Sequence, residues 1–279
     1  MAEPAPLFFD PARYEQQMAA SAHVRRGLIA LVVAGWLLSI FTPLAATYWP
    51  ALLLLAGLIG WLIANHVSST TARYAMQTAQ LAGEGRLGEL EHALAASINR
   101  FTLYRTIRLM LYHHLAMLRQ QQKRYDEAAY ICHTLLFGDD GDARSSLRTR
   151  LLLLLADASL HRNDLASAHT ALHELSLSRL DLGELLQTVA LQVRYEAACG
   201  MHGQSVASLA RKVVLAELMP PHAGAQTHTL LGAAALAQGF EHTGNWLRER
   251  AQLLGADLDA PATGFDSESM HFSGLAVSH

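Results

Sequence analysis

The sequence predicts an all-α protein: an N-terminal two-helix transmembrane hairpin followed by an α-solenoid of about four to five helix pairs. Three observations carry this. Apolar and small residues recur at helical spacing through most of the chain, as in Tyr112, Leu115 and Ala116, then Tyr125, Ala128, Cys132 and Leu135, with a break near Lys123. Aligned on Ala128, the pattern returns at Leu90, Ala168, Ala207 and Gly244, with separations of 38, 40, 39 and 37 residues, the period of stacked helix pairs. Two long runs, Gly27 to Thr47 and Trp49 to Ala64, carry no charged side chain.

Composition agrees. Of the 279 residues, 16% are charged and 51% apolar, against about 25% charged in an ordinary soluble domain, so part of the apolar surface is expected to meet lipid. Four segments follow: 1–26 as an N-terminal cytoplasmic segment, 27–66 as the transmembrane hairpin, 67–255 as the repeat domain and 256–279 as a disordered acidic tail.

In the first segment Asp10 and Pro11 form an N-cap and first-turn signal for a short helix leading to the membrane. Phe8 and Phe9 read as a loosely ordered terminus before docking on the array. The first apolar run reaches the ~20 residues that a membrane helix needs. The second has 16 residues, or 19 with Asn65, His66 and Val67 as an interfacial end. Thr42, Pro43, Tyr48, Trp49 and Pro50 place the turn between them. Two buried core helices would instead need burial on every side. Arg13, Arg25 and Arg26 precede the hairpin, Arg73 and Arg86 follow it, and the turn has no Lys or Arg. Both ends are therefore expected to face the cytoplasm at an inner membrane. Cys132 and Cys199 sit in helical patterns with no disulfide framework.

The first helix pair is expected over Thr70 to Leu81 and Leu87 to Arg100, turning at Gly83 and Gly85. A second runs from Leu103 to Phe137, and Gly138 to Ser146 is a polar loop. A third runs from Leu147 to Leu175, breaking at Asn163 and Asp164, and a fourth from Leu180 to Leu218, closed by Pro220 and Pro221. Gln226 to Gln238 and Thr243 to Leu254 make the fifth. The stretch Lys123 to Ala129, with Leu231, Gly232 and Gly244, resembles the tetratricopeptide repeat family, whose pattern is an aromatic, a Leu-Gly pair and a Tyr, then Ala, Phe and a closing Pro. The chain departs from that pattern at Arg119 and Cys132, where the family favours Tyr and Phe. Arg194 and Arg211 stand where the fourth unit should be apolar.

The sequence contains no phosphate loop, GxGxxG, HExxH, GxSxG or paired CxxC, and no enzymatic activity or cofactor is expected. His169 and His173, four apart on one helix, supply only two ligands and read as solvated or interhelical histidines rather than a metal site. With a net charge of −3 and scattered basic residues, nucleic acid is not expected as a partner. The family resemblance implies a groove lined by the first helices of successive pairs, which on this chain gives His113, Met117, Gln120 and Gln121, then Arg150, Asp157 and His161, then Gln192 and Glu196. A polar lining of both signs suits a protein or peptide partner, with no small-molecule substrate. The expected function is thus a membrane-anchored scaffold that organises a complex. The alternative is an accessory subunit of an export or polysaccharide-secretion machine, docking through its hairpin, with Gly27, Ala34, Gly35, Gly57 and Gly60 as packing surfaces.

Overall fold

A computed structural model of the chain describes residues 9–41, 48–137 and 147–255. Among these, regular structure is entirely helical, in twelve helices: α1 Pro11–Phe41, α2 Trp49–Gly83, α3 Leu87–Ile98, α4 Arg105–Gln121, α5 Tyr125–Phe137, α6 Arg148–His161, α7 Leu165–Ser176, α8 Leu182–Ala198, α9 His202–Ala207, α10 Leu209–Ala216, α11 Pro221–Ala237 and α12 Glu241–Leu253. The chain forms two compact units that divide within α4, after Leu118. The expected polar loop at 138–146 and the acidic tail from 256 lie outside the described residues, as does most of the expected hairpin turn.

In the first unit α1 and α2 are each longer than expected, at 31 and 35 residues. Asp10 caps α1 by accepting from the amides of Ala12 and Arg13 at 3.0 and 3.3 Å, and Pro11 opens it. No Gly or Pro lies between Ala64 and Leu81, so nothing stops α2 where the apolar run ends. The four hydroxyls Ser68, Ser69, Thr70 and Thr71 turn inward instead, each donating to a carbonyl three or four residues back at 2.7, 2.8, 2.7 and 3.2 Å. The helix expected at Thr70 to Leu81 is therefore the second half of α2, and no helix boundary falls at 66 and 67. Trp49 and Pro50 belong to its first turn rather than to a connecting loop.

α1 and α2 pack antiparallel through glycines. A Cβ on Gly35 would meet Leu54 at 3.0 Å, one on Gly57 would meet Val32 at 3.0 Å, and one on Gly60 would meet Leu28 at 3.0 Å. This approach leaves Ile29, Val33, Trp36, Leu55, Leu58, Leu62 and Ile63 exposed. Both helices are long and apolar enough to cross a membrane. Beyond the apolar stretch, α1 docks on α4. Phe9 and Tyr14 each meet Tyr112 edge to face, with centroids 5.3 and 5.0 Å apart, and lie tilted to one another at 6.3 Å, and Arg13 donates to Asn99 at 2.7 Å. Phe9 is thus held, which differs from the loose terminus expected, because Tyr14 one turn into α1 carries it onto Tyr112.

One turn recurs five times. Gly85, Lys123, Asn163, Gly200 and Gly239 have φ of 69, 61, 58, 67 and 80°, and each is followed by an amide that donates five residues back: Arg86 to Leu81, Arg124 to Arg119, Asp164 to Ser159, Met201 to Glu196 and Phe240 to Ala235. This is a Schellman turn, spaced at 38, 40, 37 and 39 residues. Five residues after each left-handed residue stand Leu90, Ala128, Ala168, Ser205 and Gly244, all buried. The fourth equivalent of Ala128 is therefore Ser205 and not Ala207. The second element of that pair also breaks at Ser208 into α9 and α10.

A left-handed conformation costs an L-residue about 1–2 kcal/mol, against roughly 0.5–1 kcal/mol for glycine's extra chain entropy. Lys123→Gly is therefore expected to stabilise the chain by about 0.5–1 kcal/mol, and Asn163→Gly by less because Asn tolerates this region better. Urea unfolding of the detergent-solubilised chain checks this; a lower midpoint for Lys123→Gly would contradict the turn geometry.

In the second unit α5 packs on α6, α6 on α7 and α8, and α8 on α11, which pairs with α12. The last pair is the tightest: a Cβ on Gly244 would fall 2.5 Å from Leu236 Cγ and 3.1 Å from the Gly232 carbonyl oxygen. Leu231, Ala235, Leu247 and Val193 close one core there, and Leu186, Val189, Ala216 and Met219 another.

Candidate functional site

Counting back from the left-handed residue of each turn sorts the first-helix positions. Six residues before Asn163 stands Asp157, and six before Gly200 stands Arg194. Both are buried, at 8% exposure, and they meet: Arg194 Nη1 donates to Asp157 Oδ1, while Gln120 Nε2 donates to Asp157 Oδ2. Arg194 Nη2 also lies 3.2 Å from His161 Nε2. Because a guanidinium only donates, that ring nitrogen is the acceptor and the imidazole is neutral, with its proton on Nδ1. The ring stacks on Tyr125 at 4.2 Å with an interplanar angle of 4°. A polar ladder thus joins the end of α4, α6 and α8.

Four residues before the left-handed position the side chain is buried in every pair of this unit: Arg119, Ser159, Glu196 and Ala235. Arg119 Nε faces Glu127 Oε2 at 3.2 Å. Glu196 accepts from Lys212 Nζ at 2.6 Å and Ser205 Oγ at 2.8 Å, with Lys212 itself 5% exposed. These two pairs hold opposite signs at the same position, each balanced from the following helix.

Of the expected groove residues, Gln120, Asp157 and His161 come together. Glu196 does not join them; it is enclosed beside Lys212, and of the expected groove residues it meets Gln192, whose Nε2 donates to Glu196 Oε1 at 3.0 Å. The two-residue register shift at Ser205 explains this, since it moves Asp157's counterpart from the Gln192 and Glu196 pair to Arg194. Arg150 is exposed, Met117 and Gln121 are half-buried, and His113 is buried beside the ring of His114, whose Nδ1 bonds Thr78 Oγ1 at 2.9 Å. Sequence reasoning missed Arg194 as a ladder member and Lys212 as a partner. Gly200 was the available signal, because only a turn there aligns the fourth pair. His169 and His173 lie with rings 6.3 Å apart, His169 against Tyr195, and among the described residues no three metal-binding side chains converge.

Burial, helped by Arg194, pushes the His161 imidazole below its ordinary 6.5, with Asp157 opposing; burial does the same for His228, which faces Glu217 at 3.2 Å. A folded-state pKa below the unfolded one favours the neutral ring, so this contribution is whole above 6.5 and is lost as pH falls through that value toward the folded pKa. Stability should therefore drop between about pH 7 and pH 5, before the carboxylates protonate. His161→Gln, which keeps an acceptor for Arg194, should flatten part of that drop in denaturation midpoints. A midpoint that rises on acidification would contradict the neutral-ring assignment.

Together these features define an all-helical protein with two helices long and apolar enough to cross a membrane and a second unit built of paired helices. No family model matches the chain, and no curated protein or solved structure matches it either.

Proposed function

We propose that the chain is a membrane-anchored scaffold of the tetratricopeptide-like kind, whose hairpin sits in the inner membrane with both termini cytoplasmic, and whose helix pairs bind partner proteins and organise a complex there. The observation that carries this reading is the band of exposed apolar side chains on α1 and α2, which ends where the same two helices continue into a packed helical unit. A water-exposed band of that size is costly, and lipid removes the cost. The repeated Schellman turn and the small residues at Gly232 and Gly244 support a solenoid of helix pairs in the second unit. The arginines at residues 25, 26, 73 and 86 support the cytoplasmic side.

The ladder refines where a partner would bind. Asp157, Arg194 and Gln120 already satisfy one another, so they stiffen the first helices rather than wait for a ligand. Exposed Arg150 and Gln192 are the groove positions left to read a partner. The hairpin's Gly35, Gly57 and Gly60 are consumed in packing α1 on α2, which favours the scaffold over docking through the hairpin.

Cross-linking in membranes, followed by purification of the full chain in mild detergent, tests this. A bound partner is expected, and Arg150→Glu with Gln192→Lys should lose it while the protein stays in the membrane. A partner kept by that variant and captured equally by residues 1–83 alone would overturn the scaffold reading.

A further inference from the structure

The apolar stretch of α2, Trp49 to Ala64, is 16 residues, about 24 Å of helix, whereas the hydrocarbon core is about 30 Å thick. An upright helix starting at Trp49 therefore meets the end of the hydrocarbon near Ser68, about 20 residues on. A loop is pinned to α2 at that level. Leu103 N donates to Ser68 Oγ at 2.8 Å, Tyr104 Oη to Asn65 Oδ1 at 2.5 Å, and Thr71 Oγ1 to the Phe101 carbonyl at 3.2 Å. Arg100 lies over the Tyr74 ring at 4.0 Å. With its backbone and its tyrosine hydroxyl so held, the loop still presents Phe101 and Tyr104 to the outside, 36% and 44% exposed, and Val67, Ile63 and Leu62 on the adjoining part of α2 are exposed too.

Charge follows the same level. The glycine contacts Gly35 to Leu54, Gly57 to Val32 and Gly60 to Leu28 set the register of α1 against α2, and continuing it puts Arg25 and Arg26 beside residues 62 to 64, one to two turns on the hydrocarbon side of Ser68, where long side chains snorkel outward to the headgroups. The three segments that reach this level, 15–27, 62–74 and 97–110, hold six arginines, Arg25, Arg26, Arg73, Arg100, Arg105 and the buried Arg108, against a single carboxylate, Glu15.

We propose that residues 99–104, together with Arg25, Arg26 and Arg73, form a lipid-surface site that lies in the headgroup layer and favours anionic headgroups. The inference rests on the membrane reading above. Aromatic rings with a polar edge suit this layer, and arginines near it are drawn to anionic lipid. The site makes the short hairpin sufficient, because the loop fills the depth that the apolar run leaves uncovered.

Spin labels on the full chain test it, in nanodiscs of phosphatidylcholine containing phosphatidylglycerol and in a Cys132→Ala, Cys199→Ser background. Leu58→Cys reports the hairpin and Met76→Cys, on the far part of α2, reports water. At Phe101→Cys and Tyr104→Cys the ratio of oxygen to aqueous nickel collisions should lie several-fold above that at Met76→Cys and below that at Leu58→Cys. Ratios equal to Met76→Cys, with Leu58→Cys still lipid-exposed, overturn the site while leaving the hairpin intact. A water-exposed Leu58→Cys overturns the membrane reading itself. Equal immersion in pure phosphatidylcholine overturns the anionic preference. Helical circular dichroism confirms folding, and Phe101→Cys decides alone if Tyr104→Cys, which gives up the Asn65 bond, does not fold.

Discussion

Replacing Glu196 with alanine is expected to destabilise the chain by about 3–5 kcal/mol, the cost of leaving one member of a buried ion pair unbalanced. The Glu196 side chain is 4% exposed and that of Lys212 6%, so water does not solvate the ammonium once the carboxylate is gone. Ser205 loses its acceptor at the same time. Glu196→Gln keeps the shape and one acceptor, and should cost clearly less. Removing both charges, with Glu196→Leu and Lys212→Met together, should recover much of the loss, since an apolar pair of similar volume avoids desolvation altogether. Urea unfolding of the solubilised chain, followed by circular dichroism, measures all three. A single alanine variant within ~0.5 kcal/mol of the parent would show that the pair is hydrated and the enclosure wrong.

Asp157→Ala should cost a comparable ~3–5 kcal/mol for a different reason. Asp157 is shared: it accepts from Arg194 and from Gln120, so its loss unbalances a buried guanidinium and separates α4, α6 and α8 at one point. Asp157→Asn keeps one acceptor oxygen and sets its NH2 against the other donor, and should cost less than Asp157→Ala but more than nothing. His161 gives a second readout. Without the carboxylate that opposes burial, its imidazole becomes harder to protonate, so the stability lost on mild acidification should still begin near 6.5 but be larger and run on to lower pH in Asp157→Ala. An alanine variant with unchanged stability and an unchanged acid profile would remove the ladder from the account.

How far the sequence could be read depended on which residues punctuate it. The helical class and the two long apolar helices were legible because uncharged runs and 3.6-residue spacing are local. Three of the turns were legible too, at Gly85, Lys123 and Asn163. The continuation of α2 past the apolar run was not: Ser68 to Thr71 resemble a linker by composition, yet each hydroxyl bonds a carbonyl of its own helix. Register failed in the fourth pair because Ala207 looks like a packing alanine, while the residue that meets the preceding helix is Ser205, set by the left-handed Gly200. That shift of two moved the candidate groove onto Glu196 and away from Arg194. The ladder was legible only in its parts: Arg194 stood out at a position expected to be apolar, but Asp157 is 37 residues away, and only the turn at Gly200 aligns the two.

The central claim is that α1 and α2 lie in lipid as far as the level of Asn65. Alkaline carbonate extraction of membranes containing the full chain tests it most directly. The protein should stay in the membrane pellet with its lipid-facing band embedded. Its recovery in the supernatant as a folded helical protein would mean that the band on α1 and α2 is covered by something other than lipid.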